Sequence, residues 1–130
     1  MEEADARAAW MFDGINRCPS YVAELNGTIV GTAYLKPNQI ALGDQVANAG
    51  WMISPASSGR GIGRRFARYV LDEARRLGFH AMQFNAVVAT NERAVSLGES
   101  LGSRVVGTIP GGFRHVTYGL TSVHIMYVEL

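Results

Sequence analysis

The stretch ISPASSGRGIGRRFARYV, Ile53 to Val70, sets three alternating glycines, Gly59, Gly61 and Gly63, directly ahead of an arginine-rich helical pattern. Glycine inside a helix costs about 1 kcal/mol relative to alanine, so three around a helix start call for a reason. One reason is chemical. Backbone N–H groups left unpaired at a helix N-terminus, aided by the helix dipole, bind phosphate oxygens, and a missing Cβ lets those oxygens come close. The other is conformational, a tight strand-to-helix turn beside a solvated arginine face. The dinucleotide pattern G-x-G-x-x-G fails because Arg64 and Phe66 stand where its third glycine would fall. The nucleotide P-loop fails for want of a lysine after the last glycine. A pyrophosphate fits what remains.

Other residues able to do chemistry are scattered. Asn38, Gln39, Asn48 and Asn85 form a polar set suited to hydrogen bonding more than to a hydrophobic pocket. His115 sits in GGFRHVTYG, a glycine-flanked loop between the last two strands, where it reads first as an ordinary solvated loop histidine. His80 reads as structural, and Cys18, with no evident His and acid partner, as a small inert residue. Trp51, Met82 and Phe84 read as core or cleft wall. No His/Cys/Asp/Glu spacing suggests a metal.

Elements must hold these residues in place. Ala8, Met11, Phe12 and Ile15 recur at three and four, predicting a short amphipathic helix over Ala4 to Asn16. Alternation on both sides of Asn26-Gly27, a type I′ pair, predicts a hairpin of Tyr21 to Leu25 and Thr28 to Leu35. After a polar loop with Lys36, Pro37, Asn38 and Gln39, VANAGWMI reads as a strand closed by Pro55. A helix follows over Gly61 to Leu77, with Ile62, Phe66, Val70, Ala74 and Leu77 on one face. AMQFNAVV reads as a strand, Glu92 to Leu101 as a helix capped by Thr90 or Asn91, and Arg104 to Ile109 and Ser122 to Glu129 as two more strands. The order is α-β-β-β-α-β-α-β-β. A central strand-helix-strand demands a parallel crossover while the hairpins demand antiparallel pairs, so the fold class is α/β (α+β) with a mixed, mostly antiparallel sheet.

The totals fit one domain over residues 1–130. The chain is 48% hydrophobic, enough for its own core. The net charge of +1 hides a stripe: Arg60, Arg64, Arg65, Arg68, Arg75 and Arg76 are six of its twelve cationic residues. A local stripe suits an anionic ligand better than nucleic acid, especially with Asp72 and Glu73 interrupting it and no aromatic ladder beside it. A single cysteine, an acidic start without a signal-peptide pattern, and no apolar run near the roughly 18 residues of a membrane helix point to the cytoplasm.

MISPASSGRGIGRRFARYVLDEARRLGF resembles motif A of the GCN5-related N-acetyltransferases, and NERAVSLGESLGS resembles the asparagine-led helix that follows it there. The likeness runs from about Tyr21 to the C-terminus. It implies acetyl-CoA as co-substrate, in a cleft where the strand before Pro55 and the strand from Ala81 to Val87 splay apart. Main chain at Met52, Ile53 and Ser54 would pair with the pantetheine arm, and the turn from Ser58 and Gly59 through Arg60, Gly61, Ile62, Gly63 and Arg64 would cradle the pyrophosphate. Asn91 would reach the pantetheine arm, a role compatible with capping its helix. A main-chain N–H near Met52 or Ile53 would serve the oxyanion, with Asn85, Asn48 and Ser54 positioning water and His115 or Tyr118 as distant candidates for a base. Asn38, Asn48, Asn85 and His115 would meet the acceptor. The family's glutamine or arginine at the loop start is Ser58 here, and its tyrosine or tryptophan after a leucine is Gly98, which cannot protonate a leaving thiolate. The family's first strand is expected to be missing, leaving Tyr21 to Leu25 as an open edge and inviting a homodimer.

Three functions are therefore weighed. The first is an acetyl-CoA-dependent N-acetyltransferase acting on a small or amino-acid-like primary amine by direct attack. The second is a non-catalytic acyl-CoA-binding module. The third is a structural or nucleic-acid-binding domain.

Overall fold

In the computed structural model, residues 5–10 and 18–130 are described. Seven strands form one sheet: β1 (Asp5–Trp10), β2 (Pro19–Leu25), β3 (Thr28–Pro37), β4 (Val46–Ile53), β5 (Ala81–Val88), β6 (Arg104–His115) and β7 (Gly119–Glu129). Their order is β1-β2-β3-β4-β5-β7-β6. Among the described strands only β4 and β5 run parallel, and helix α1 (Ile62–Arg76) makes the crossover between them. Helix α2 (Glu92–Ser100) joins β5 to β6. The expected mixed, mostly antiparallel sheet is the one observed.

Local signals place most boundaries. Asn26 and Gly27 take φ of 54° and 78°, the left-handed pair a tight hairpin needs. One face of α1, Ile62, Phe66, Ala67, Val70, Leu71 and Ala74, is buried. It packs on Tyr21, Ala33, Leu35, Ala47, Met82 and Phe84 of the sheet, and Arg64, Arg68, Asp72 and Arg75 face solvent.

Three expectations are corrected. Residues 5–10 of the expected leading helix are strand β1, and the rest of that segment lies outside the described residues. The supposed missing strand is thus present, for β1 pairs antiparallel with β2 from Asp5↔Glu24 to Trp10↔Pro19. The β2 edge is closed, and with it goes the edge argument for a dimer. The loop expected between the last strands is mostly strand as well, with β6 and β7 continuing to a turn at residues 116–118. A register shift between Ile109 and Phe113 absorbs Pro110-Gly111-Gly112 as a bulge.

Candidate functional site

The parallel ladder is short. β4 and β5 pair at Val46↔Ala81, Ala47↔Met82 and Asn48↔Gln83 and then part. A register shift of β5 against β7 between Phe84 and Val87 bends β5 there. The gap holds a cavity of about 390 Å³. Its walls come from both faces of the sheet: Phe84, Leu97, Gly98 and Met126 on the helix side, and Tyr34, Lys36, Asn48 and Gly50 on the other. A ligand on one face can therefore meet a ligand on the other through the gap.

Strand alternation decides which main-chain groups face this gap. Ser54 N donates to Val30 O at 2.7 Å and Asn38 N to Val46 O at 2.8 Å, so even-numbered residues of β4 use their groups on β3. Gln45 O instead accepts from His80 N at 2.8 Å, on the β5 side. Odd-numbered residues follow it, and beyond Asn48↔Gln83 those of Trp51 and Ile53 face the gap with no strand opposite. Of the three main-chain candidates, Ile53 fits. Met52 pairs with Thr32, Ser54 N is taken, and Trp51, assigned from sequence only to core or wall, replaces them. The missed signal was the period of two counted from Pro55.

The glycine turn lies at the end of the same strand. Gly59 and Gly61 have φ of 81° and 74°, so part of their reason is conformational. Gly63 is different. It has no positive φ, and a Cβ there would meet only Ile53 Cγ1 at an ordinary 3.7 Å. Neither backbone nor packing requires glycine at 63, and its position is open to close approach from outside. The first turn of α1 has no side-chain cap and no acidic residue; its first cap bond is Arg65 N to Gly61 O at 3.2 Å. The N–H groups of Ile62, Gly63 and Arg64 thus have no acceptor among the described residues. At the far end Arg75 pairs with Asp72 and Arg76 with Glu73, at 2.9 and 2.7 Å, whereas Arg60, Arg64 and Arg68 have no such partner among the described residues. Unpaired donors and cations thus gather at the same helix end. This is a fit for a pyrophosphate.

Side chains sort by distance from the gap. Asn48, Asn85 and Asn91 line it. Asn85 Nδ2 donates to Asn38 Oδ1 at 2.7 Å, while Asn85 Oδ1 accepts from Gln83 Nε2 at 2.9 Å. Asn91 Oδ1 accepts from Ala94 N at 3.1 Å, capping α2 as expected and leaving its NH2 group for a ligand. His115 and Tyr118 do not line the gap. His115 Nδ1 accepts from Thr117 N and Tyr118 N at 3.0 and 3.3 Å, a turn-holding role. Ser58 Oγ donates to Pro55 O at 2.8 Å, bracing the loop. Gly98 is buried, and a Cβ there would lie 2.9 Å from both Met126 Cε and Ser103 Oγ. A side chain at 98 would therefore require Met126 and Ser103 to shift.

Perturbed protonation lies elsewhere, between β2 and α1. Burial, then the nearby Glu73 carboxylate, pushes the Tyr21 hydroxyl well above its usual range. The hydrogen bonds from Arg76 hold Glu73 below the usual carboxylate value. This cluster ties β2 to α1.

Comparison with known proteins yields concordant findings. The sequence pattern of the acetyltransferase (GNAT) family matches residues 1–103. The N-acetyltransferase aca1 of Schizosaccharomyces pombe is 37% identical over 87 residues, 67% of this chain, which spans only 42% of that relative. A GCN5-related N-acetyltransferase from Kribbella flavida has a similar structure, with 43% identity, a TM-score of 0.88, and coverage of 93% of this chain and 73% of that one. The structure of yncA from Salmonella typhimurium with its cofactor acetyl-CoA is similar at 29% identity and a TM-score of 0.77, covering 87% of this chain and 65% of that one.

Proposed function

The chain belongs to the GNAT acetyltransferase family, and from that premise we propose that it transfers an acetyl group from acetyl-CoA to the primary amine of a small, amino-acid-like acceptor. The observation that carries this reading is the gap between β4 and β5, with unpaired main chain on one wall and an anion cradle at its mouth. The N–H groups of Arg60, Gly61, Ile62, Gly63 and Arg64, beside Ser58 and Gly59, would hold the pyrophosphate. Trp51 and Ile53 would pair with the pantetheine arm, and Asn91 would donate to it.

Acetyl-CoA supplies a thioester carbonyl that the amine attacks directly, with the thiol leaving. A main-chain N–H of Ile53 or Trp51 would face the developing oxyanion, a donor that needs no reorganisation. Asn48 and Asn85 would hold water to carry the amine's proton away. Among the described residues no aspartate, glutamate or histidine lines the gap, and the proton would leave through solvent. No hydroxyl stands at Gly98 to meet the thiolate.

One domain over residues 1–130, a cytoplasmic setting and a homodimer complete the reading. No helix among the described residues is long and apolar enough to cross a membrane. The homodimer now rests on the β6–β7 ribbon, where Ile109, Phe113, Val116, Tyr118 and Leu120 are exposed by 44% or more. Such a run exceeds what a monomer usually shows to water, and a two-fold axis would set the same ribbon of two copies together.

The gap alone would equally serve a non-catalytic acyl-CoA-binding module, the reading favoured by Gly98. Calorimetric titration with acetyl-CoA tests what both readings share, and saturable one-to-one binding is expected. No heat at millimolar ligand would remove both and return the arginine stripe to the nucleic-acid reading.

A further inference from the structure

The face of the gap away from the helices carries its own chemistry. Lys36 and Asn48 are direct partners across β3 and β4, and Asn48 and Gln83 across β4 and β5, so the three side chains form a row on one face. Lys36 and Asn48 both line the cavity. Asn48 is only 2% exposed, yet its side-chain amide forms no hydrogen bond with any described residue. That amide is not sealed off, for Ser103 Oγ is the buried side-chain polar atom without a partner among the described residues, so the Asn48 amide reaches the open cavity and can take a partner there. The neighbouring amides are already committed, Asn85 to Asn38 and Gln83 to Asn85.

Lys36 points the same way. Its Nζ lies 5.7 Å from the centroid of the Tyr34 ring, and no carboxylate pairs with it among the described residues. Among the described residues no aspartate or glutamate stands in the cavity wall. The polar groups left facing the cavity on this side are thus an ammonium, an amide and the Tyr34 hydroxyl, with no anion among the described residues to answer them. An acceptor that is only a cation would be repelled here.

We propose that the acceptor is an amine that also carries an anionic group, of which an α-amino-acid carboxylate is the simplest, bound by the Lys36 ammonium and oriented by the Asn48 amide. The proposal rests on the acetyl-transfer reading and adds the class of acceptor to it. It also accounts for how an amine is kept reactive without a carboxylate base in the wall. The positive charge of Lys36 disfavours the acceptor's ammonium form and so favours the free amine, while the acceptor's own anion keeps it bound. Lys36 is a specificity-determining residue in this account and takes no part in the bond changes.

The test uses protein first saturated with CoA, itself followed by calorimetry. A panel of N-acetyl-L-amino acids and their C-terminal amides, spanning small, aliphatic and polar side chains, is then titrated into the binary complex. At least one free acid is expected to bind about tenfold tighter than its amide, the scale of one charge-assisted hydrogen bond. In Lys36→Met that advantage should fall to within about twofold, with the CoA titration unchanged and Lys36→Arg restoring most of it. Amides binding as well as acids throughout the panel, or an acid preference that survives in Lys36→Met, would overturn the proposal. Absence of CoA binding in the first titration is a separate outcome and removes the acetyl-transfer reading instead.

Discussion

Gly63 and Gly98 show how differently two glycines can be explained. At Gly63 the backbone is ordinary helix and a Cβ finds open space beside Ile53, so Gly63→Ala should stabilise the fold by about 1 kcal/mol through helix propensity, read as a higher Tm. Gly63→Val should fold with near-native stability and lose at least about tenfold in acetyl-CoA affinity, because a branched side chain stands where phosphate oxygens must reach Ile62 and Arg64. A folded Gly63→Val that titrates normally would place the pyrophosphate elsewhere. Gly98 carries the opposite expectation. From sequence, Gly98→Tyr looks like restoration of a family side chain with a gain in helix propensity. In the structure its Cβ would already press on Met126 and Ser103, so the tyrosine variant should lose about 1–3 kcal/mol, measured by denaturant unfolding. An equal or higher unfolding midpoint would show that Met126 and Ser103 yield freely.

At the scale of elements, α1 is held to the sheet by a polar tie as well as by its apolar face. Tyr21 Oη donates to Glu73 Oε1 at 3.4 Å, and Arg76 grips the same carboxylate at 2.7 and 3.0 Å. Glu73 therefore ionises at lower pH folded than unfolded. Its contribution is present above the unfolded carboxylate pKa and is lost as pH falls through the lower, folded one. Glu73→Gln should cost about 0.5 kcal/mol at neutral pH, discounted because Arg76 is largely exposed, and the difference from wild type should vanish in acid. A difference that grows on acidification would reverse the sign. Elements with their own periodicity and caps were legible in the sequence, β4 and β5 to the residue and α1 and α2 to within a residue at each end. The misread ones are those whose partners overrule local preference. DARAAW reads as part of a helix because Ala8, Met11, Phe12 and Ile15 recur at helical spacing, and it is a strand because β2 offers a full ladder. Pro110-Gly111-Gly112 reads as a turn because those residues make turns, and here they make a bulge within a ribbon. At the site, the glycine turn ahead of α1 and the Asn91 cap of α2 were legible from type and spacing. The choice of Trp51 over Met52 and the place of Lys36 depend on ladder register, which one strand alone does not reveal.

For the whole molecule, the sheet's topology explains why the chemistry sits where it does. A single parallel pair inside an otherwise antiparallel sheet, bent by a bulge on one side, gives one gap, and the crossover helix delivers its N-terminus to the mouth of that gap. The apolar ribbon at the other end of the sheet is expected to hold two copies together. Light scattering at micromolar concentration should return twice the chain mass, and Val116→Glu with Leu120→Glu should return it to one without changing the acetyl-CoA titration. A wild-type monomer across dilution would leave the ribbon as solvent-facing surface. The central claim is group transfer through the gap, and its most direct measurement is release of the CoA thiol from acetyl-CoA with and without an amine. The account predicts release that rises with amine concentration for at least one amino-acid-like acceptor and is lost in Gly63→Val. Saturable acetyl-CoA binding with no amine-dependent thiol release across amino acids, polyamines, aminoglycosides and peptide N-termini would contradict it and leave a binding module in its place.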